Sequence, residues 1–110
     1  MNQAQGSGSR DDRTAVVRLF GEYDIYRQSE LERQLSVAYL ADIAVLDVRD
    51  VSYIDSTAIA LLIRLKKRMA EHGPAFVRLA GAQGNVRRVL HLAGLDQVFE
   101  LYDTVEEALD

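Results

Sequence analysis

From residue 14 onward, hydrophobic and polar positions follow two alternating patterns. Short runs of apolar and β-branched residues predict strands over 15–20, 43–48, 75–80 and 98–102, with a shorter candidate strand over 22–25. Apolar positions at helical spacing predict helices over 29–40, 56–71, 86–93 and 105–109. Strands that alternate with helices indicate βαβ units with right-handed crossovers. We therefore predict an α/β domain with a mixed, mostly parallel sheet of four to five strands and about four helices.

Particular residues predict the central strand and the ends of the helices. The run from Ile43 to Val48 is almost continuously apolar, which is typical of a strand buried on both faces of a parallel sheet. Asn85 and Thr104 are predicted to cap the helices that follow them. Gly94 is predicted to end the third helix in a left-handed conformation.

The first 13 residues differ in composition from the rest of the chain. They are polar and contain a Gly-Ser-Gly-Ser run, so they lack the apolar surface that a folded segment must bury. We predict a disordered tail over residues 1–13. Residues 14–110 have the length of one ordinary domain.

Charge and hydropathy narrow the range of partners. The net charge of −4 lacks the basic excess that phosphate backbones attract, so we expect no direct nucleic acid partner. No apolar run approaches the roughly 18–20 residues of a membrane span, so we expect no membrane insertion. The N-terminal segment lacks the apolar core of a signal peptide, and we expect a cytoplasmic location.

Few residues in this chain have the pattern of a catalytic or metal site. There is no cysteine, and the two histidines, His72 and His91, do not have the spacing of a metal-ligand pair. The serine in Tyr53-Ile54-Asp55-Ser56-Thr57 does not lie in the Gly-x-Ser-x-Gly elbow of a hydrolase. We therefore expect a binding protein rather than an enzyme, with no catalytic residues, metal or cofactor.

The helix predicted over 56–71 has an unusual second apolar side. At about 100° per residue, its core face contains Ala58, Leu61, Leu62, Leu65 and Met69. Ser56, Ala60 and Ile63 fall roughly opposite that face, with Ile59 at its flank. These four residues predict an exposed apolar surface beside a hydroxyl, which is a typical partner-binding feature. The alternative is that another element covers this side of the helix.

The turn Asp55-Ser56-Thr57 precedes that helix and contains two good capping residues. If Asp55 caps the helix, the Ser56 hydroxyl lies free in its first turn. Backbone N–H groups and the helix dipole would then stabilise a phosphate on that oxygen. The alternative is that Ser56 is simply the cap.

Four motifs together resemble the anti-sigma factor antagonists of the STAS domain family. They follow the order and approximate spacing of that family over about residues 14–109: Gly21-Glu22-Tyr23-Asp24, residues 43–48, Ser52-Tyr53-Ile54-Asp55-Ser56-Thr57-Ala58, and His91-Leu92-Ala93-Gly94-Leu95. The resemblance implies a STAS-like domain over residues 14–110 that acts as a protein-binding switch.

The resemblance also implies partners and site residues. The unphosphorylated protein would bind an anti-sigma factor that is also a serine kinase, and phosphorylation of Ser56 would release it. Thr57 is the fallback phosphoacceptor, and a PP2C-type phosphatase would reset the switch. Asp55 would position the helix start, and Glu22 and Asp24 would lie near the partner face. We expect a monomer or a weak dimer.

One departure from the family pattern leaves an alternative open. The family often has Gly-x-Gly after the hydroxyl pair, where this chain has Ala58-Ile59-Ala60. Some STAS domains are not phosphorylated and serve as scaffolds or as transporter-associated subunits. A constitutive docking role is therefore the alternative to a phosphorylation switch.

Overall fold

A computed structural model of the chain describes residues 13–110. Within them, strands and helices alternate as follows: β1 Thr14–Tyr23, α1 Gln28–Ser36, β2 Ile43–Ile54, α2 Ser56–Ala70, β3 Phe76–Ala80, α3 Gly84–Leu92, β4 Glu100–Tyr102 and α4 Val105–Leu109. Single-turn 3-10 helices lie at Ile25–Arg27 and Leu95–Gln97. The predicted disordered tail lies outside the described residues, apart from Arg13.

The four described strands form one sheet in the order β1-β2-β3-β4. Each neighbouring pair is parallel. The α/β class and the parallel pairing predicted from the alternation of patterns are therefore confirmed. Because the strands are parallel, their carboxyl ends meet at one edge of the sheet, and the turns that follow β1 and β2 lie side by side there.

The first strand differs from its prediction. The separate strand expected over 22–25 is wrong, because Glu22 and Tyr23 continue β1. Gly21 allows this continuation with a φ of 84°, a left-handed value that favours glycine. The pairing with β2 shifts register on both sides of this bend. Ile25 instead begins the 3-10 helix.

Several element ends also differ from the predictions. α1 ends at Ser36 rather than near residue 40, and β2 continues to Ile54. Asn85 is not a cap, because α3 begins at Gly84 and Gln83 precedes it without a side-chain capping bond. Thr104 does cap α4, since its hydroxyl accepts a hydrogen bond from Glu107 N.

Helices pack on both faces of the sheet, and β2 is buried between them. The larger core cluster joins one face of the sheet to buried residues of α1, α2 and α3. On the other face, Val45 and Ala80 pack against Ala108 of α4. The prediction of a central strand buried on both faces is therefore confirmed for Ile43–Val48, where only Ile43 is partly exposed. Gly94 has the predicted left-handed conformation, with φ 72°.

Candidate functional site

The candidate site lies where β1 and β2 end. Tyr23 and Ile54 are register partners at the last residues of the two strands. The Asp55 N–H donates to the Tyr23 carbonyl at 3.1 Å, which ties the start of α2 to the end of β1. The Asp55-Ser56-Thr57 turn and the turn through Asp24 therefore share one edge of the sheet.

Asp55 is the residue that caps α2. Its carboxylate Oδ1 accepts a hydrogen bond from Ala58 N at 2.9 Å, and its backbone is extended with φ −105° and ψ −176°. Ser56 is consequently the first helical residue, and its side chain is exposed. Thr57, the second helical residue, is half-buried. Of the two capping alternatives, the structure supports the one that leaves the Ser56 hydroxyl free of capping.

The environment of Ser56 favours an added anion. α2 is 15 residues long, and its first turn contains no acidic residue. The positive end of the helix dipole stabilises a nearby negative charge by about 0.3–1 kcal/mol. The adjacent Asp55 carboxylate, which accepts the Ala58 N–H, opposes such a charge and reduces this gain. A phosphate on Ser56 Oγ would thus meet helix N–H groups and solvent rather than a packed interior.

The faces of α2 agree only in part with the helical wheel. The predicted core face is confirmed, since its five residues are all buried. Ser56 and Ala60 are exposed as predicted. The exposed position predicted for Ile63 is wrong, because Ile59 and Ile63 are half-buried and pack against the main core cluster.

The flank of α2 that carries Ile63 lies near the segment that precedes β4. Residues 59, 63 and 66 are spaced three and four apart and so share one flank of α2. On that flank, Lys66 Nζ donates to the Val98 carbonyl at 2.7 Å. The segment before β4 therefore comes within reach of this flank of α2, and the packing of Ile63 on the core cluster agrees with the alternative of a covered side.

Exposed apolar side chains lie instead on the neighbouring turn. Ile25 is 61% exposed and Tyr26 is 92% exposed. We call this pair the Ile25–Tyr26 ridge. Tyr53, the register partner of Glu22, is also exposed. The ridge was not predicted from the sequence, because Ile25 was expected to lie in a strand. One signal could have indicated the turn: Asp24, a good capping residue, directly precedes this apolar pair.

Glu22 and Asp24 lie at this same edge. Glu22 is exposed at the end of β1. Asp24 is half-buried, and its Oδ1 accepts from Tyr26 N at 2.9 Å, so that it caps the 3-10 helix. Asp24 therefore has a definite local task, which is to hold the ridge in its turn.

Two further kinds of feature are absent from the described residues: clusters of metal ligands and helices that could span a membrane. Among residues 13–110, no cluster of three or more His, Cys, Asp or Glu side chains is placed to hold a metal ion. None of the helices in that range has the length and hydropathy needed to cross a membrane.

The structure thus has an exposed serine in the first turn of a helix that the preceding aspartate caps, at the carboxyl edge of a parallel sheet. The family model of the STAS domain matches residues 9–108. The chain belongs to the STAS domain family.

Two relatives connect the chain to one branch of that family. Anti-sigma-F factor antagonist RsfB of Mycobacterium tuberculosis is 31% identical over 98 residues, which are 86% of this chain and 78% of that protein. A Thermotoga maritima protein assigned provisionally as an anti-sigma factor antagonist is 34% identical over 61 residues. That match covers 56% of this chain and 53% of the relative, so the chain spans about half of that protein's length.

Solved structures show the same fold. An anti-sigma factor antagonist from Mycobacterium paratuberculosis has a TM-score of 0.73 at 29% identity, covering 89% of this chain and 84% of that one. A sulfate transporter family protein from Wolinella succinogenes has a TM-score of 0.72 at 19% identity, covering 87% of this chain and 81% of that one. The second likeness concerns the fold alone.

Proposed function

We propose that this chain is an anti-sigma factor antagonist whose partner binding is switched by phosphorylation of Ser56. The observation that carries the proposal is the capping bond from Ala58 N to Asp55 Oδ1, at 2.9 Å. Because Asp55 already accepts the Ala58 N–H at the start of α2, the exposed Ser56 hydroxyl is not needed as the cap and is available as a phosphoacceptor. The relatives named as anti-sigma factor antagonists support the choice of partner class.

In the unphosphorylated state, the edge around Ser56 binds an anti-sigma factor that is also a serine kinase. This edge presents Ser56 and Ala60 on α2, and Glu22 and Asp24 beside the ridge. Occupying the anti-sigma factor leaves its sigma factor free. The protein acts by binding and needs no catalytic residue of its own.

Phosphorylation reverses that binding by placing charge in the interface. The kinase transfers the γ-phosphoryl group of ATP to Ser56 Oγ, the hydroxyl proton is lost, and ADP leaves. The phosphate adds about −1.5 to −2 charges at neutral pH, and a partner packed over it would have to desolvate them. A cost of about 4 kcal/mol weakens binding roughly a thousandfold. A PP2C-type phosphatase restores the hydroxyl by hydrolysing the phosphoester.

The two alanines after the hydroxyl pair affect this proposal differently. Ala58 is 3% exposed and belongs to the core cluster, so its methyl group faces the sheet rather than a partner. Ala60 is exposed on the side of α2 that carries Ser56. Only Ala60 therefore changes the surface that a partner meets.

The proposal is tested by mapping the phosphate. After incubation of the chain with purified anti-sigma factor kinase and ATP, mass spectrometry should find phosphate on Ser56. Ser56→Ala should remain unmodified and keep partner binding, whereas Ser56→Asp should weaken binding. Thr57→Ala is the matched control and should still be phosphorylated. Phosphate on Thr57 alone, or no phosphate on the wild-type chain, contradicts the assignment.

The exposed Ala60, at a position where the family often has glycine, favours one second candidate. In that case the same edge docks permanently on a larger complex, as a scaffold or a transporter-associated subunit. This function predicts stable co-purification with one partner that ATP does not disrupt, and an unmodified Ser56.

A further inference from the structure

We infer that the Ile25–Tyr26 ridge, held in place by Arg27, is a specificity-determining contact that inserts into an apolar pocket with a basic rim on the partner protein. This inference rests on the proposed function and names residues that it leaves unassigned. Tyr26 is the anchor, and Arg27 is a positioning residue.

The ridge is exposed and yet fixed. Tyr26 is 92% exposed, but its backbone N–H donates to Asp24 Oδ1 at 2.9 Å. The Arg27 N–H donates to the Asp24 carbonyl at 3.0 Å, which closes the turn. An aromatic side chain on an ordered turn loses little backbone freedom on binding, and tyrosine is among the residues that dominate interface energies.

Arg27 connects the turn to both neighbouring elements. Its Nη1 donates to the carbonyls of Phe20 at 2.8 Å and Glu22 at 3.0 Å, at the end of β1. Its Nε and Nη2 donate to the carboxylate of Glu30 on α1, at 3.1 and 2.8 Å. The guanidinium also lies 4.1 Å from the centroid of the buried Tyr23 ring. One side chain thus joins β1, α1 and the ridge.

Gly21 makes room for this arrangement. A Cβ at Gly21 would lie 3.0 Å from Arg27 Nη1, closer than an ordinary contact.

The hydrogen bond between Arg27 and Glu30 shifts the pKa values of both side chains. It holds the pKa of Glu30 below its usual value and raises the pKa of Arg27. Both shifts favour the charged forms of the two side chains, as expected for an ion pair.

The surroundings of the ridge indicate a basic partner surface. Glu22 is exposed and Asp24 is half-buried on the side of β1. The positive charge of Arg27 is already paired with Glu30, so the remaining local charge is negative. A partner that covers Tyr26 meets these carboxylates at its rim. Complementary charge there selects among partners more than it adds affinity.

The ridge and Ser56 are close enough for one partner to cover both. Asp55 N donates to the Tyr23 carbonyl at 3.1 Å, and the ridge begins two residues after Tyr23. Ser56 follows Asp55 directly. The ridge therefore sets which partner docks, while Ser56 sets whether it docks.

The test measures the affinity of the full chain for each purified anti-sigma factor kinase of the source genome, without ATP. For the kinase that binds wild type, Tyr26→Ala should weaken binding at least tenfold with an unchanged Tm, because the side chain is almost fully exposed. Tyr26→Phe should stay within about threefold of wild type. Leu92→Ala is the matched control. Leu92 is 72% exposed at the end of α3, which runs toward the opposite edge of the sheet, and its loss should change binding less than twofold.

A double-mutant cycle tests the role of Arg27. Arg27→Met should weaken binding severalfold in the wild-type background and cause no further loss in the Tyr26→Ala background. Arg27→Lys, which keeps the charge but not the planar fork, serves if the methionine variant is unfolded. Additive losses would overturn the positioning role, and unchanged binding by Tyr26→Ala would overturn the inference while the proposed function stands. If no such kinase binds the wild-type chain, the proposed function fails and the inference fails with it.

Discussion

At the scale of single residues, either Asp55 or Ser56 could cap the start of α2. Both side chains are good helix caps, and the sequence leaves the choice between them open. The structure gives the cap to Asp55, whose carboxylate receives the Ala58 N–H. From this assignment we expect the proposed phosphoacceptor to be dispensable for folding, which is a useful property for a residue that is to be modified reversibly.

Stability measurements can test that division of tasks. Asp55→Ala should lower the free energy of unfolding by about 0.5–2 kcal/mol, the usual cost of a lost cap. Ser56→Ala should change it by less than about 0.5 kcal/mol, as for other exposed positions without a structural contact. Chemical denaturation of the two variants checks this directly. An equal loss in both would show that Ser56 contributes to the cap.

The sequence predicted the residues of the Asp55-Ser56-Thr57 turn better than those of the neighbouring turn that carries the Ile25–Tyr26 ridge. Asp55 and Ser56 could be placed because a capping residue followed by an apolar helix is a local pattern. Tyr26 was not placed, because the pattern around Ile25 predicts a strand and does not show the side-chain bond from Tyr26 N to Asp24 Oδ1 that forms the turn. The contact between Arg27 and the carbonyl of Phe20 is also local in sequence, and it lies beside the bend of β1 at Gly21.

At the scale of elements, α2 shows what periodicity can and cannot determine. The five core residues of α2 follow from spacing alone, and all are buried. Ile63 was misplaced because a helical wheel gives a direction around the axis without showing which segment lies there. Ile63 packs against the main core cluster, and Lys66 on the same flank donates to the Val98 carbonyl.

A charged side chain should affect stability differently at two positions of α2, the half-buried Ile63 and the exposed Ala60. Ile63→Asp should lower the free energy of unfolding by about 1–3 kcal/mol, because a carboxylate would replace a side chain packed on the core. Ala60→Asp, at an exposed position of the same helix, should leave stability nearly unchanged. Thermal and urea unfolding of the pair measures the difference. Equal stabilities would mean that Ile63 is free at the surface after all.

Strand boundaries were less predictable than strand existence. The apolar run of β2 stops at Val48, but the strand continues to Ile54 because β1 continues beside it and supplies pairing partners. Likewise, α1 ends at Ser36 although apolar residues at helical spacing continue beyond it. Pairing with β1 thus carries β2 past its apolar run, whereas α1 gives way to a series of turns with local hydrogen bonds such as Tyr39 N to Ser36 O.

At the scale of the whole molecule, the order of the strands produces the site. Consecutive parallel strands with right-handed crossovers place α1, α2 and α3 on one face of the sheet. They also place every strand's carboxyl end at one edge. The turn with Ser56 and the turn with Tyr26 therefore become neighbours although 30 residues separate them in sequence, 26 against 56.

The central claim is that a phosphate on Ser56 controls binding at this edge. The most direct test compares the Kd of a purified anti-sigma factor kinase for the unmodified chain and for the chain phosphorylated at Ser56, in the same buffer. We predict at least a hundredfold weaker binding after phosphorylation, and about a thousandfold if the full cost of about 4 kcal/mol applies. Equal Kd values for the two forms would contradict the claim.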